Sequence, residues 1–132
     1  MSTVNEIARH NIVTCKVTDS IPTVAKKMVD AEVGSLFVED VRGKIIGLIT
    51  DGQIFRLIAD REDLSRKIAR DIMVSPIQIV DKDTPIKEAW KIFQKTGFKR
   101  LAVTDGNKIV GVLSRKIVQR LMRYTRAKSL MA

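Results

Sequence analysis

Lys116, Arg120 and Arg123 recur at i, i+4 and i+7 and are continued by Arg126 and Lys128, so a helix here would carry its cations along one face. Such a face can lie along DNA or RNA phosphates through charge alone. The chain has one Tyr, four Phe and one Trp, no interleaved stacking platform and no helix-turn-helix pattern, so the expectation is nonspecific binding. An acidic partner protein or plain solvation would suit the same face. Thr50 and Ser114 carry hydroxyls, but using either as a nucleophile requires a base, and the only histidine is His10. No cysteine or carboxylate cluster accompanies His10 at ligand spacing, so it reads as a surface or linker residue rather than a metal ligand. Cys15, the only cysteine, lies in an apolar stretch and reads as a small buried hydrophobe. Neither an enzyme nor a metal site is expected.

Those cations belong to a strong asymmetry. The chain carries 24 Lys and Arg against 15 Asp and Glu, a net +9. Residues 1–66 hold 9 against 10, net −1, and residues 67–132 hold 15 against 5, net +10. The basic half would attract phosphate-bearing partners from a mononucleotide to nucleic acid. With 132 residues, 45% of them hydrophobic, the chain can bury an ordinary core. No apolar run approaches the roughly 18 residues needed to cross a bilayer, and Met1-Ser2-Thr3-Val4-Asn5-Glu6 has no signal-peptide core, so the expected location is the cytoplasm, with no membrane partner.

The elements that would position these residues occur twice. A shift of 65 aligns Ile7 with Ile72, Ile12 with Ile77, Ile21 with Ile86, Leu36 with Leu101, Val38 with Val103 and Asp40 with Asp105. After one turn the shift becomes 64, aligning Lys44 with Lys108, Ile45 with Ile109, Gly47 with Gly111, Arg56 with Arg120 and Leu57 with Leu121. Each copy opens with a short apolar strand, Ile12 to Cys15 and Ile77 to Val80. A helix follows, started by Asp19 or Ser20 before Pro22 and by Thr84 before Pro85. Val24, Met28 and Ala31 give the first helix its apolar face, and Ala89, Ile92 and Phe93, extended by Trp90, give the second. Trp90 and Phe93 read as core or dimer-interface residues. A hairpin turns through Val41 to Lys44 and again through Asp105 to Lys108, and a second helix carries Ile54, Leu57 and Ile58, or Val118, Leu121 and Met122. Residues 1–66 thus form one unit of order β-α-β-β-α, and residues 67–132 a second with a basic tail.

Asp71-Ile72-Met73, Ile77-Gln78-Ile79-Val80, Thr84-Pro85-Ile86, Leu101-Ala102-Val103 and Gly111-Val112-Leu113-Ser114-Arg115, with weaker counterparts one repeat earlier, resemble a tandem pair of CBS (cystathionine-β-synthase) domains. The resemblance implies an α/β fold of two β-α-β-β-α units packed through their sheets about a pseudo-twofold axis, and a homodimer that relays ligand binding to an effector protein. It also implies clefts for AMP, ADP, ATP or another adenosyl compound, with no cofactor required. Ile12, Val13, Thr14 and Ile77 would lie at the first strands, and Gly34, Ser35 and Leu36, or Lys99, Arg100 and Leu101, where the next strand begins. The family's ligand signature runs from a glycine through two apolar residues to Thr or Ser, then to Asp three positions on. Gly47 to Thr50 and Gly111 to Ser114 keep its first part, but Gln53 and Ile117 stand where Asp is expected. Gln53 can still form hydrogen bonds to a ribose and Ile117 cannot. Arg100, with Arg115 nearby, could grip a phosphate bidentately. Three roles follow: a nucleotide-sensing module, a nonspecific nucleic-acid binder using the basic half, or a dimeric scaffold whose clefts are vestigial.

Overall fold

The computed structural model describes residues 2–131. Its elements run α1 (Val4–Ile7), β1 (Thr14–Lys16), α2 (Ile21–Ala31), β2 (Ser35–Glu39), β3 (Ile45–Thr50) and α3 (Asp51–Ala59). A 3-10 turn (Leu64–Arg66) leads to α4 (Ala69–Ile72), β4 (Ile79–Asp81), α5 (Ile86–Thr96), β5 (Arg100–Asp105), β6 (Lys108–Ser114) and α6 (Arg115–Met131). The first strand of each repeat begins two residues later than its apolar run, because ladder pairing starts only at Thr14 opposite Phe37 and at Ile79 opposite Ala102.

Local chemistry explains most boundaries. The Ser20 hydroxyl accepts from the Thr23 amide at 3.2 Å and Pro22 occupies the first turn, which starts α2. The second repeat departs from expectation. Pro85 stands at the N-cap of α5 with no side-chain cap, and Thr84, one residue outside, accepts the Val4 amide on its carbonyl at 2.9 Å. The two helices end alike, in left-handed residues Glu32 (φ 55°) and Gly97 (φ 75°), although only the second uses the residue for which that conformation is cheap.

Each repeat builds a three-stranded sheet in which the first strand runs parallel to the second and the second antiparallel to the third. Helices cover one face of each sheet. Ile21, Val24 and Met28 meet Leu36, Val38 and Ile49 in the first core, and Ala89 and Phe93 meet Leu101, Val103 and Leu113 in the second. Complete burial of such side chains stabilises the fold by about 1.5–3 kcal/mol apiece. Of the second-helix positions, Ile54 and Val118 are buried and Ile58 is 56% exposed.

Each core is completed by the leading segment of the other repeat. Val4 of α1 is fully buried among Phe93, Leu101 and Leu113, while Ala69 of α4 is fully buried in the core of β1–β3. Beyond each short helix the chain adds one bridge to the sheet edge. Arg9 and Val112 exchange both backbone hydrogen bonds at 2.9 Å, and Val74 and Leu48 do so at 2.9 and 3.1 Å. The compact units are therefore residues 12–77 and residues 1–11 with 78–132, rather than the halves of the sequence. By this division residues 12–77 are neutral, with ten charges of each sign, and the other unit holds the entire +9, with 14 cations and five anions.

The two repeated glycines lie beneath these crossings. A Cβ on Gly111 would stand 3.1 Å from the Arg9 carbonyl oxygen and 3.2 Å from the Ala8 Cβ, and one on Gly47 would stand 2.5 Å from the Met73 sulfur. Met73 is a flexible side chain and can move, whereas the Arg9 carbonyl is fixed by its bridge to Val112. Gly111→Val should accordingly destabilise the protein by about 1–3 kcal/mol, and Gly47→Ala by less. Urea unfolding checks this, and wild-type stability of Gly111→Val would show that the leading segment does not need the space.

Candidate functional site

Two equivalent corners hold the hydroxyls and cations singled out by the sequence. In the first, Ser35 at the start of β2 pairs with Thr50 at the end of β3, and the Asp51 amide donates to the Gly34 carbonyl at 2.8 Å. Thr50 caps α3, its hydroxyl accepting from the Gln53 amide at 3.3 Å while Gln53 Oε1 accepts from the Thr50 amide at 2.8 Å. Gln53 Nε2 donates to the Ile72 carbonyl at 2.6 Å. Both ends of the Gln53 side chain thus serve α3 and its tie to α4, a task that the ribose reading of this residue did not include. The Val13 carbonyl accepts from the Phe37 amide and the Thr14 carbonyl from Lys27 Nζ, while Ile12 and Ile77 are half-buried. Ser35 is buried and Thr50 half-buried.

The second corner replaces the small residues of the first with cations. Arg100 pairs with Ser114 across β5 and β6, and the Arg115 amide donates to the Lys99 carbonyl at 3.0 Å. Arg100 Nη1 also donates to that carbonyl at 3.2 Å, and the Arg115 guanidinium stands 5.8 Å from the centre of the Trp90 ring, a cation–π arrangement. Arg100, Ser114 and Arg115 are half-buried, whereas Lys99 is exposed. Ile117, 39% exposed, takes the place of Gln53 and offers no hydrogen bond. Leu36 and Leu101 are fully buried in the two cores, so their side chains are directed away from any ligand at these corners.

Arg9 was not among the residues expected from sequence. It is half-buried at the edge of β6, and its guanidinium is held below the ordinary arginine range by burial and then by the charge of Arg100. It remains a cation at neutral pH. Nothing in the local sequence marks it, because its neighbourhood exists only once the leading segment has bridged Val112. His10 fastens the same segment, with Nδ1 3.0 Å from the Val110 carbonyl and Nε2 2.8 Å from the Asn5 carbonyl. Burial, aided by Asp19, pushes the Cys15 thiol up to about 11 and leaves it a packing residue. Lys116, Arg120, Arg123, Arg126 and Lys128 are all exposed on α6. Phe93 is core, and Trp90 packs partly buried against it. Among the described residues there is no cluster of three or more His, Cys, Asp or Glu side chains able to hold a metal, and no helix is long and apolar enough to cross a membrane. In the unit of residues 12–77, Met28, Val33, Ile54 and Phe55 line a hollow of about 400 Å³ between α2 and α3.

The profile of the CBS domain matches residues 4–60 and again residues 69–124, so the chain belongs to the CBS domain family. It is 28% identical over 123 residues to an uncharacterised protein of Methanopyrus kandleri, covering 92% of this chain and 63% of that protein. It is also 28% identical over 114 residues to the Escherichia coli arabinose 5-phosphate isomerase KpsF, covering 86% of this chain but only 35% of the isomerase. The chain is thus shorter than either relative. Among solved structures, the CBS domain pair of protein MJ0100 in complex with 5′-methylthioadenosine and S-adenosyl-L-methionine superposes with a TM-score of 0.78 at 22% identity, covering 95% of this chain and 98% of that one. CBSX2 of Arabidopsis thaliana in complex with AMP gives 0.71 at 22% identity, covering 96% and 99%. These likenesses establish the fold.

Proposed function

We propose that the chain is a regulatory, non-catalytic module of the cytoplasm that binds AMP, ADP, ATP or a related adenosyl compound and passes the bound state to an effector protein. The observation that carries this reading is the pairing of Arg100 with Ser114 at the start of α6, in a fold whose relatives hold AMP or S-adenosyl-L-methionine. A guanidinium gives a phosphate two parallel donors, the Ser114 hydroxyl adds a third, and the positive end of a 17-residue helix adds its dipole. At the matching corner of the other unit, Gly34 and Ser35 replace Lys99 and Arg100, so that corner should hold phosphate more weakly. KpsF suggests the setting: a CBS pair that accompanies a separate catalytic part.

Titration calorimetry of nucleotide-stripped protein with AMP, ATP, NAD and S-adenosylmethionine tests the reading. Saturable binding that weakens about tenfold or more in Arg100→Ala is expected, equivalent to about 1.4 kcal/mol. The absence of heat with all four would favour vestigial clefts and a scaffold role.

Association into a homodimer is supported by the apolar surface of α2 and α3, where Val29 (74% exposed) and Phe55 (64%) line the hollow and Ile58 is 56% exposed. Light scattering should report a dimer that Phe55→Arg converts to monomer; a monomeric wild type would refute this.

A second reading is favoured by the five exposed cations of α6, namely nonspecific binding of a nucleic acid. It predicts affinity for duplex DNA that falls steeply with salt and is lost on changing Arg120 and Arg123 to Gln. Binding that survives the double change would exclude α6 as the contact.

A further inference from the structure

We infer that the outer face of α5 joins that of α6 in one basic surface of two rows, which seats duplex DNA by its phosphates. The inference rests on the nucleic-acid reading above and adds to it a second row of contacts and the form of the nucleic acid.

The repeat shows how the surface arises. In the neutral unit an outer cation on each helix is matched by a carboxylate one turn on, with Lys26 Nζ 3.1 Å from Asp30 and Arg56 Nε 3.1 Å from Asp60. Their counterparts Lys91 and Arg120 keep the charge, but Lys95 stands in place of Asp30 and Tyr124 in place of Asp60. Where the first repeat has Pro22, Gly52 and Ala59, the second has Lys87, Lys116 and Arg123. Lys87, Lys91 and Lys95 therefore recur at every fourth residue of α5, and the only anion on either helix is Glu88. All six cations are exposed, and among the described residues none of them makes a side-chain hydrogen bond or an ion pair.

Helix geometry places the two rows together. α5 and α6 pack against each other, burying Ala89, Phe93 and Val118 in one core. Lys91 lies two residues from Ala89, and Arg120 two residues from Val118, which is about 200° of helix turn and directs both away from that core. Cations four residues apart are about 6 Å apart along an axis. The axes of packed helices are about 8–10 Å apart, between the widths of the minor groove (about 6 Å) and the major groove (about 12 Å) of B-form DNA. Each row can thus meet the phosphates of one of the two strands flanking a groove. A single strand would occupy one row, and it gains most of its affinity from stacking, for which α5 and α6 expose only Tyr124. An acidic protein would need carboxylates in two matching rows, whereas a duplex carries a phosphate for about every 1.7 Å of its axis.

Fluorescence anisotropy with a labelled DNA duplex and with one of its strands, each titrated over a range of salt, tests the surface, and thermal unfolding checks that each variant folds. Changing Lys87, Lys91 and Lys95 together to Gln should weaken duplex binding tenfold or more and lower the slope of log affinity against log salt by about 2–3. Changing Lys16, Arg42 and Lys44 to Gln removes as many exposed charges from the neutral unit and should leave the slope unchanged. A wild-type slope in the α5 variant, with binding still lost on changing Arg120 and Arg123, would overturn the second row while leaving the nucleic-acid reading intact. Equal losses in the two triple variants would assign the attraction to net charge and overturn the surface. Tighter binding of the single strand than of the duplex would overturn the choice of duplex. Failure of wild type to bind either, with binding of polyglutamate instead, would give the face to an acidic protein and remove both the reading and this inference.

Discussion

The passage of each leading segment over the third strand of a sheet fixes more of this structure than any other contact. It is close enough at Gly111 that a methyl group would reach the Arg9 carbonyl, and at Gly47 it would strike Met73. The backbone bridges at Arg9–Val112 and Val74–Leu48 then extend each sheet by one bridging residue, and the short helices α1 and α4 place Val4 and Ala69 in the cores. Because each segment comes from the other repeat, cutting the chain at residue 66 would leave both cores without a wall. Local sequence similarity and spatial unit are thus out of phase by one segment.

That exchange also shapes the chemistry. The repeated glycine that looks like part of a ligand signature has a packing duty first, since it admits the segment that brings Arg9 and His10 to the edge of β6. Thr50 likewise caps α3 before it meets any ligand. At one corner Gln53 is engaged with Thr50 and Ile72, and at the other Ile117 offers nothing polar, so the two corners have diverged from one scheme. Charge follows the same division, with the whole +9 in the unit that holds Arg100, Ser114 and α6. The excess of cations is therefore concentrated in one unit, while the neutral unit presents the apolar surface of α2 and α3.

Much of this was legible in the residues. The shift of 65 gave the repeat, helical spacing gave the Val24 and Phe93 faces, and two apolar runs around Gly43 or Gly106 gave the hairpins. Periodicity could not reveal which core Val4 would enter, because a four-residue helix carries too little pattern to name its partner. Thr84 failed as a cap because Pro85 could itself occupy the N-cap, leaving the Thr84 carbonyl for Val4. Of the residues singled out by sequence, Arg100 and Ser114 are brought together as direct partners across β5 and β6. Arg9 escaped notice because a lone arginine before a strand has no local signal; its meaning comes from a strand more than 100 residues away.

Amide hydrogen exchange, resolved by residue, tests the exchanged segments most directly. If they are integral to the cores, the Arg9, Val112, Leu48 and Val74 amides should exchange as slowly as those in the centre of β5 and β6, through unfolding of the whole unit. Exchange of Arg9 at the rate of a free peptide while Val103 and Leu113 remain protected would contradict the account, showing that the leading segment is an accessory to the fold and not its closing wall.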